Sequence, residues 1–258
     1  MSRPVVLVTG ARRGIGLAIA VAFAEGGYDI AFTDIIDNDD IDDAELAIGQ
    51  AGGAALFFQN DVADLASHQG LVDEVLSSYG RLDCFVSNAG IGSPVRGDLL
   101  DLEPGNFDRV MNVNMRGAMF LSQVVARTML KLPPPQKPVR NRSILFITSV
   151  SAEMASPERA DYCVSKAALS MWVKNLAVRL APASIPVFEI RPGVIRTDMT
   201  AVVADKYQAV IDQGVVPARR WGEGADVAQM ALALAGSSFG FATGSAIACD
   251  GALSISRL

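Results

Sequence analysis

Tyr162 and Lys166 stand four residues apart at the head of an apolar run, in Asp161-Tyr162-Cys163-Val164-Ser165-Lys166. On a helix, positions i and i+4 share a face, with Cβ atoms about 5–6 Å apart. A phenol beside an ammonium is one way to build an acid or base for neutral pH. A free phenol ionises near pH 10, and adjacent positive charge can bring it to roughly 7–8 at about 1.36 kcal/mol per unit. Of the four tyrosines only Tyr162 has a lysine at that spacing. Alone, the pair could equally be a surface accident, so its meaning rests on what surrounds it.

Other chemistries find few residues. His68 is the only histidine, which rules out a three-histidine zinc site and leaves a Ser-His-Asp triad one candidate base. Gly236-Ser237-Ser238-Phe239-Gly240 matches a G-x-S-x-G pattern. A helix precedes it and no histidine follows, so it is not read as a nucleophile elbow. Cys84, Cys163 and Cys249 are odd in number and widely spaced, which fits free thiols in a reducing cytoplasm. A net charge of −6 argues against a nucleic-acid surface. Neither a signal peptide nor an uninterrupted apolar membrane span is expected, and no metal site.

The elements that must position the pair alternate along the chain. Strands are expected at Val5–Val8, Asp29–Thr33, Ala54–Gln59, Leu82–Ser87, Ser143–Thr148, Ile185–Ile190 and Ser245–Ala248. Helices are expected at Ile15–Glu25, Ala44–Ala51, Leu65–Tyr79, Phe107–Leu130, Arg159–Leu180 and Asp226–Ala235. An acidic loop precedes the second helix, a proline cluster at 133–138 makes a surface crossover, and an irregular lid covers 191–224. Short apolar strands alternating with helices predict a doubly wound α/β fold, a Rossmann-type parallel sheet of about seven strands with helices on both faces. Without a linker or composition break, residues 1–258 are expected to form one dinucleotide-binding domain.

Gly10-Ala11-Arg12-Arg13-Gly14-Ile15-Gly16 joins the first strand to the first helix. Glycines there let backbone N–H groups approach a pyrophosphate, and the helix N-terminus adds partial positive charge. Asp34 ends the second strand, where a carboxylate can take a ribose 2′-hydroxyl and repel a 2′-phosphate. Arg12 and Arg13 point the other way, because a basic loop residue can pair with that phosphate. NAD is the expected cofactor, with NADP left open.

Together these residues resemble the short-chain dehydrogenase/reductase family, in its single-domain form, over essentially the whole chain. Among its members, 3-oxoacyl-carrier-protein reductases and sugar or polyol dehydrogenases are the resemblance drawn. The glycine loop is similar to the family's cofactor motif. Asp61-Val62 resembles its adenine-contacting pair. Ser87-Asn88-Ala89-Gly90 resembles its N-N-A-G motif with serine first. Arg191-Pro192-Gly193 with Ile195 and Thr197 resembles the segment that holds the nicotinamide. Asn114, Ser149, Tyr162 and Lys166 match the family's catalytic positions.

The resemblance and the chemistry imply an NAD(P)-dependent alcohol dehydrogenase or carbonyl reductase. Tyr162 would exchange the proton of the substrate oxygen. Lys166 would lower the phenol's pKa and hold the nicotinamide ribose. Ser149 would hydrogen-bond the reacting oxygen. Asn114 would fix a water that feeds protons through Lys166. The competing classes are a catalytically silent nucleotide-sensing protein and a sugar-nucleotide epimerase or dehydratase.

Two helices, 107–130 and 159–180, are apolar on more than one side. The resemblance implies that they meet in a homo-oligomer, a tetramer in preference to a dimer. The expected partner is otherwise a small carbonyl or alcohol substrate: a sugar, polyol, 3-oxoacyl thioester or cyclic ketone. The lid is largely apolar. Glu153, Glu158 and Asp161 near the mouth weigh mildly against an anionic substrate.

Overall fold

The computed structural model describes residues 3–135, 141–201 and 203–257. Seven parallel strands form one sheet: β1 (Val5–Thr9), β2 (Asp29–Asp34), β3 (Ala55–Gln59), β4 (Cys84–Ser87), β5 (Ser143–Ile147), β6 (Val187–Pro192) and β7 (Ala246–Cys249). Their spatial order is β3-β2-β1-β4-β5-β6-β7. All six pairings are parallel, as the alternating pattern predicts.

Every residue of β1 and of β5 is buried. Strands covered on both faces need no polar side, hence their near-continuous apolar sequences. Successive side chains then feed opposite layers. Val6 and Val8 pack with Ile19, Phe23 and Val227, whereas Val5 and Leu7 pack with Leu121, Val125 and Leu169. The first layer is built from α1 (Gly14–Glu25), α2 (Asp40–Gln50) and α9 (Gly224–Ala235). The second is built from α3 (His68–Tyr79), α5 (Ala118–Lys131) and α6 (Ala160–Leu180). Strand order reverses between β1 and β4, which opens a crevice at the carboxyl ends of the strands.

Three elements differ from the sequence expectation. Helix α2 starts at Asp40 and takes Asp40, Asp42 and Asp43 into its first turn, so part of the acidic loop is helical. Carboxylates there complement the helix dipole. The single helix expected over 107–130 begins earlier, at Pro104, as α4 (Pro104–Met111). Proline is tolerated at that first position because its missing N–H has no intrahelical partner. A π segment at Asn112–Gly117 then interrupts the run before α5. The lid at 191–224 is partly helical, with α7 (Asp198–Ala201) and α8 (Ala204–Asp212). Of the proline cluster, Pro133 to Pro135 lie in irregular chain and Pro138 falls outside the described residues, as does Val202 of the lid.

No helix among the described residues is long and apolar enough to cross a membrane. None of them cluster as a metal site. His68 is buried and its Nε2 lies 2.9 Å from the Val62 carbonyl, which occupies the one candidate triad base. The Gly236–Gly240 decoy follows α9 and leads into a 3-10 turn, without the strand that an elbow requires.

Candidate active site

The carboxyl ends of the strands open into a cleft of about 1360 Å³. Every residue expected to bind cofactor reaches its lining: Gly10, Arg12, Arg13, Gly14, Ile15, Gly16, Asp34, Asp61, Val62, Asn88, Ala89, Gly90, Pro192, Gly193, Ile195 and Thr197. So do Ser149, Tyr162 and Lys166. Asn114 is not part of the surface and supports it from behind.

At one end lies the glycine turn. Gly10 has φ +64, and a Cβ there would sit 2.9 Å from the Ala89 Cα. A Cβ on Gly16 would sit 2.2 Å from the Gly10 carbonyl and 2.6 Å from Asn88 Nδ2. Only hydrogen fits at either position. Asn88 ties the turn to β4, its Nδ2 donating to the carbonyls of Thr9 and Gly10, each at 2.9 Å. The first N–H groups of α1 find no side-chain cap. Unsatisfied donors at a helix N-terminus beside a glycine turn suit a pyrophosphate. Further along, Thr33 Oγ1 and Asn60 Oδ1 are buried without hydrogen-bond partners among the described residues, and both residues line the cleft. Orphaned polar atoms beside an exposed apolar pair, Ile35 and Ile36, suit the adenosine half of a dinucleotide. Sequence reasoning had not singled out Thr33, Ile35, Ile36 or Asn60; their place at or just after the ends of β2 and β3 was the available signal.

Arg12 is almost fully buried. It pairs with Asp40, and its Nε lies 3.6 Å from Asp34 Oδ1. Arg13 instead spans to Asp198 of α7 at 2.9 Å, tying the turn to the lid. Both arginines are therefore already met by carboxylates.

At the other end the catalytic candidates gather. Ser149 follows β5, and its Oγ accepts from the Ser151 N–H at 3.1 Å. That bond uses a lone pair and leaves the hydroxyl proton to donate, here toward the Tyr162 phenol. Lys166 Nζ lies 5.6 Å from the centre of the Tyr162 ring and donates to the Ile147 carbonyl at 3.2 Å. The π segment turns Asn114 inward, where it is 1 % exposed. Its Oδ1 accepts from the Ile91 N–H at 2.8 Å, and its Nδ2 donates to the Ile91 carbonyl at 2.9 Å and to Ser165 Oγ at 3.2 Å. An extra residue in a helical turn is a common device for aiming one side chain. A Cβ on Gly90 would lie 3.2 Å from Asn114 Oδ1 and 3.4 Å from Lys166 Nζ, so Asn114 and Lys166 converge on one point of the cleft floor.

The electrostatics depart from the simple Tyr–Lys picture. Burial holds the Tyr162 phenol above its ordinary value of 10, although the Ser149 hydrogen bond and the Arg159 charge pull it down. Burial also lowers Lys166 to about 8, against a smaller upward pull from Glu189. In the protein alone, desolvation thus outweighs the pull of Ser149 and Arg159 on the phenol. Beneath these groups lies a buried ionic cluster that sequence reasoning did not find. Glu189 accepts from Thr148 Oγ1 at 2.7 Å, Ser170 Oγ at 2.8 Å and Arg191 Nε at 2.7 Å. Arg191 continues to Glu153, 2.5 Å away. The cluster fastens β6 to α6 and to the turn that carries Ser149.

A seven-stranded parallel sheet with a glycine turn after β1 and a serine–tyrosine–lysine floor defines a nicotinamide-dependent oxidoreductase. The family model described as enoyl-(acyl carrier protein) reductase matches residues 10–254, and the chain belongs to the short-chain dehydrogenase/reductase family. It transfers hydride between a nicotinamide cofactor and a ketone or secondary alcohol. The chain is similar to a 3-oxoacyl-[acyl-carrier protein] reductase from Brucella melitensis solved in complex with NAD, at 51 % identity over 100 % of both chains with a TM-score of 0.96. It is 32 % identical to the 2-dehydro-3-deoxy-D-gluconate 5-dehydrogenase of Dickeya dadantii (strain 3937), over 96 % of this chain and 94 % of that one. A chain from Agrobacterium tumefaciens solved with NADP bound is 28 % identical, over 98 % of this chain and 97 % of that one, with a TM-score of 0.84. Catalytic silence, one of the two competing expectations, is not favoured.

Proposed function

We propose that the chain is an NAD(H)-dependent enzyme that interconverts a secondary alcohol and a ketone, with Tyr162 as the acid/base. The reading rests on one observation: Ser149, Tyr162 and Lys166 share the cleft floor, with Asn114 braced behind it. Bound NAD(H) supplies or accepts the hydride. In reduction, Tyr162 donates its phenolic proton to the substrate oxygen. A phenol held above 10 is protonated at neutral pH and suited to that direction. Ser149 donates a hydrogen bond to the same oxygen as charge develops on it. Lys166 attracts the resulting phenolate and holds the nicotinamide ribose. Asn114 has a lone pair left on Oδ1 for the water that returns a proton through Lys166.

NAD is favoured over NADP. Asp34 stands at the end of β2, and Arg12 is occupied by Asp34 and Asp40. The relative solved with NAD supports the same choice. The whole chain serves as one dinucleotide-binding domain, and the three free thiols suit the cytoplasm. Val164, Met171 and Val178 recur every seventh residue on α6 and are 48, 56 and 77 % exposed. An apolar stripe of that kind fits a homo-oligomer, and we favour a tetramer.

The test is Tyr162→Phe. Nucleotide affinity should change by no more than a few fold, while turnover falls by roughly 10²–10⁴-fold or more. Near-normal turnover would sink the mechanism.

A further inference from the structure

The substrate end of the cleft holds a charge that the hydride chemistry leaves unused. Arg159 lies immediately before α6, partly buried in the cleft wall. Its guanidinium carbon is 5.3 Å from the centre of the Tyr162 ring. Its Nη2 donates to Ser151 Oγ at 3.1 Å and its Nε to Ser156 Oγ at 3.2 Å. Both partners are neutral hydroxyls, and among the described residues Arg159 makes no ion pair. A guanidinium carries five N–H donors, so this one keeps donors in reserve while two serines fix its plane.

The carboxylates nearby are committed elsewhere. Glu158 bonds Lys206 at 2.7 Å on the rim, and the Arg159 charge is the smallest influence on it. Glu153 pairs with Arg191. Asp161 is buried, accepting from the Ser93 hydroxyl and from the Tyr162 N–H at 2.7 Å. Arg96, on the facing loop, lines the same end of the cleft. Of the three acidic residues that suggested a site hostile to anions, Glu153 and Glu158 are met by cations and Asp161 is buried behind the cleft lining, so the charge that lines the cleft beside Tyr162 is positive.

We propose that Arg159 binds a carboxylate of the substrate, and that the substrate is a short oxo acid, or the hydroxy acid it becomes, with its carboxylate a few bonds from the reacting carbon. This rests on the hydride-transfer reading. A guanidinium fork matches a carboxylate through two parallel hydrogen bonds. The Tyr162 ring sets the spacing, since its hydroxyl addresses the ketone and its face carries the guanidinium. In reduction the ketone carbon takes the hydride and its oxygen takes the Tyr162 proton; the carboxylate is unchanged. A neutral 3-oxoacyl thioester would put no charge at this short distance and would leave the guanidinium without a counter-ion.

The test uses acetoacetate and ethyl acetoacetate, which share a ketone, the first with a free carboxylate and the second with that carboxylate capped as a neutral ethyl ester. The wild type should favour acetoacetate in kcat/KM by about 10- to 100-fold, the range of a charge-assisted pair. That ratio should fall toward one in Arg159→Gln, survive in part in Arg159→Lys, and shrink as sodium chloride is raised. An equal or reversed ratio in the wild type, or one unchanged in Arg159→Gln, overturns the assignment. Calorimetry on the Tyr162→Phe protein with NADH separates the two readings. Arg159-dependent preference for acetoacetate in binding, with no reduction of either ketone by the wild type, leaves the carboxylate site standing and removes the reading of Tyr162 as acid/base on an oxo acid held there. Equal reduction of both ketones does the reverse.

Discussion

Lys166 should cost the enzyme stability at neutral pH, and the size of that cost follows from its burial. Nζ is buried in the cleft floor, with the Ile147 carbonyl as its one hydrogen-bond partner among the described residues. Burial lowers its pKa from 10.5 to about 8. At 1.36 kcal/mol for each tenfold change in the proton equilibrium, that fall corresponds to ~3 kcal/mol of penalty on the charged form. Below pH 8 the lysine is charged in both the folded and the unfolded chain, and the folded state carries the full penalty. Between pH 8 and 10.5 the folded state sheds its proton while the unfolded state keeps it, so stability rises with pH. Above 10.5 the penalty is gone.

Lys166→Met removes the penalty and keeps most of the side-chain volume. It also leaves the Ile147 carbonyl unpaired, at a cost of about 1 kcal/mol. The variant should therefore be more stable than wild type by about 2 kcal/mol at pH 7. The difference should narrow across pH 8–10.5 and vanish or reverse above it. Urea denaturation of both proteins at pH 7, 8.5 and 10 measures it. A variant less stable at pH 7, or a difference independent of pH, would show that Lys166 is not a desolvated ammonium.

Asp34→Ser removes the carboxylate that faces a 2′-phosphate and leaves Arg12, 3.6 Å away, paired with Asp40 alone. The kcat/KM preference should move toward NADP(H) by about tenfold or more, since two like charges near a surface repel by a few kcal/mol. An unchanged preference would place the 2′ position elsewhere. Gly16→Ala puts a methyl 2.2 Å from the Gly10 carbonyl, and overpacking against backbone costs about 1–3 kcal/mol. The melting temperature should drop by several degrees and NAD should bind more weakly; an unchanged melting curve would contradict the packing. Met171→Glu places a charge in the exposed stripe of α6. Light scattering should find a smaller species than the wild type, and a wild-type monomer would dispose of the oligomer.

Much of the fold is written locally. Val5–Thr9 is apolar on both faces because β1 is covered on both, and the glycine turn after it announces a close approach of backbone. Tyr162 and Lys166 share a helical face by spacing alone. The lid was less legible: α8 leaves only Ile211 buried, so its pattern carries little helical signal. The π segment was hidden because it has the same apolar periodicity as an unbroken helix. It brings Asn114 to Ile91 and Ser165, 23 and 51 residues away in the chain, contacts that no local pattern carries.

The sequence by itself determined the sheet, the dinucleotide turn and the identity of the three residues on the cleft floor. Each of these depends on local geometry: a helical period, a strand alternation, a turn that only glycine can make. The tertiary structure alone decided the charge of the site. Arg12 and Arg13 look free in the sequence and are met by Asp34, Asp40 and Asp198. Glu153 and Glu158 look like a negative mouth and are met by Arg191 and Lys206. Arg159 is left among serines beside Tyr162. Charges act through space and are cancelled by whichever partner folding brings near, so a count along the chain cannot give the sign of a pocket.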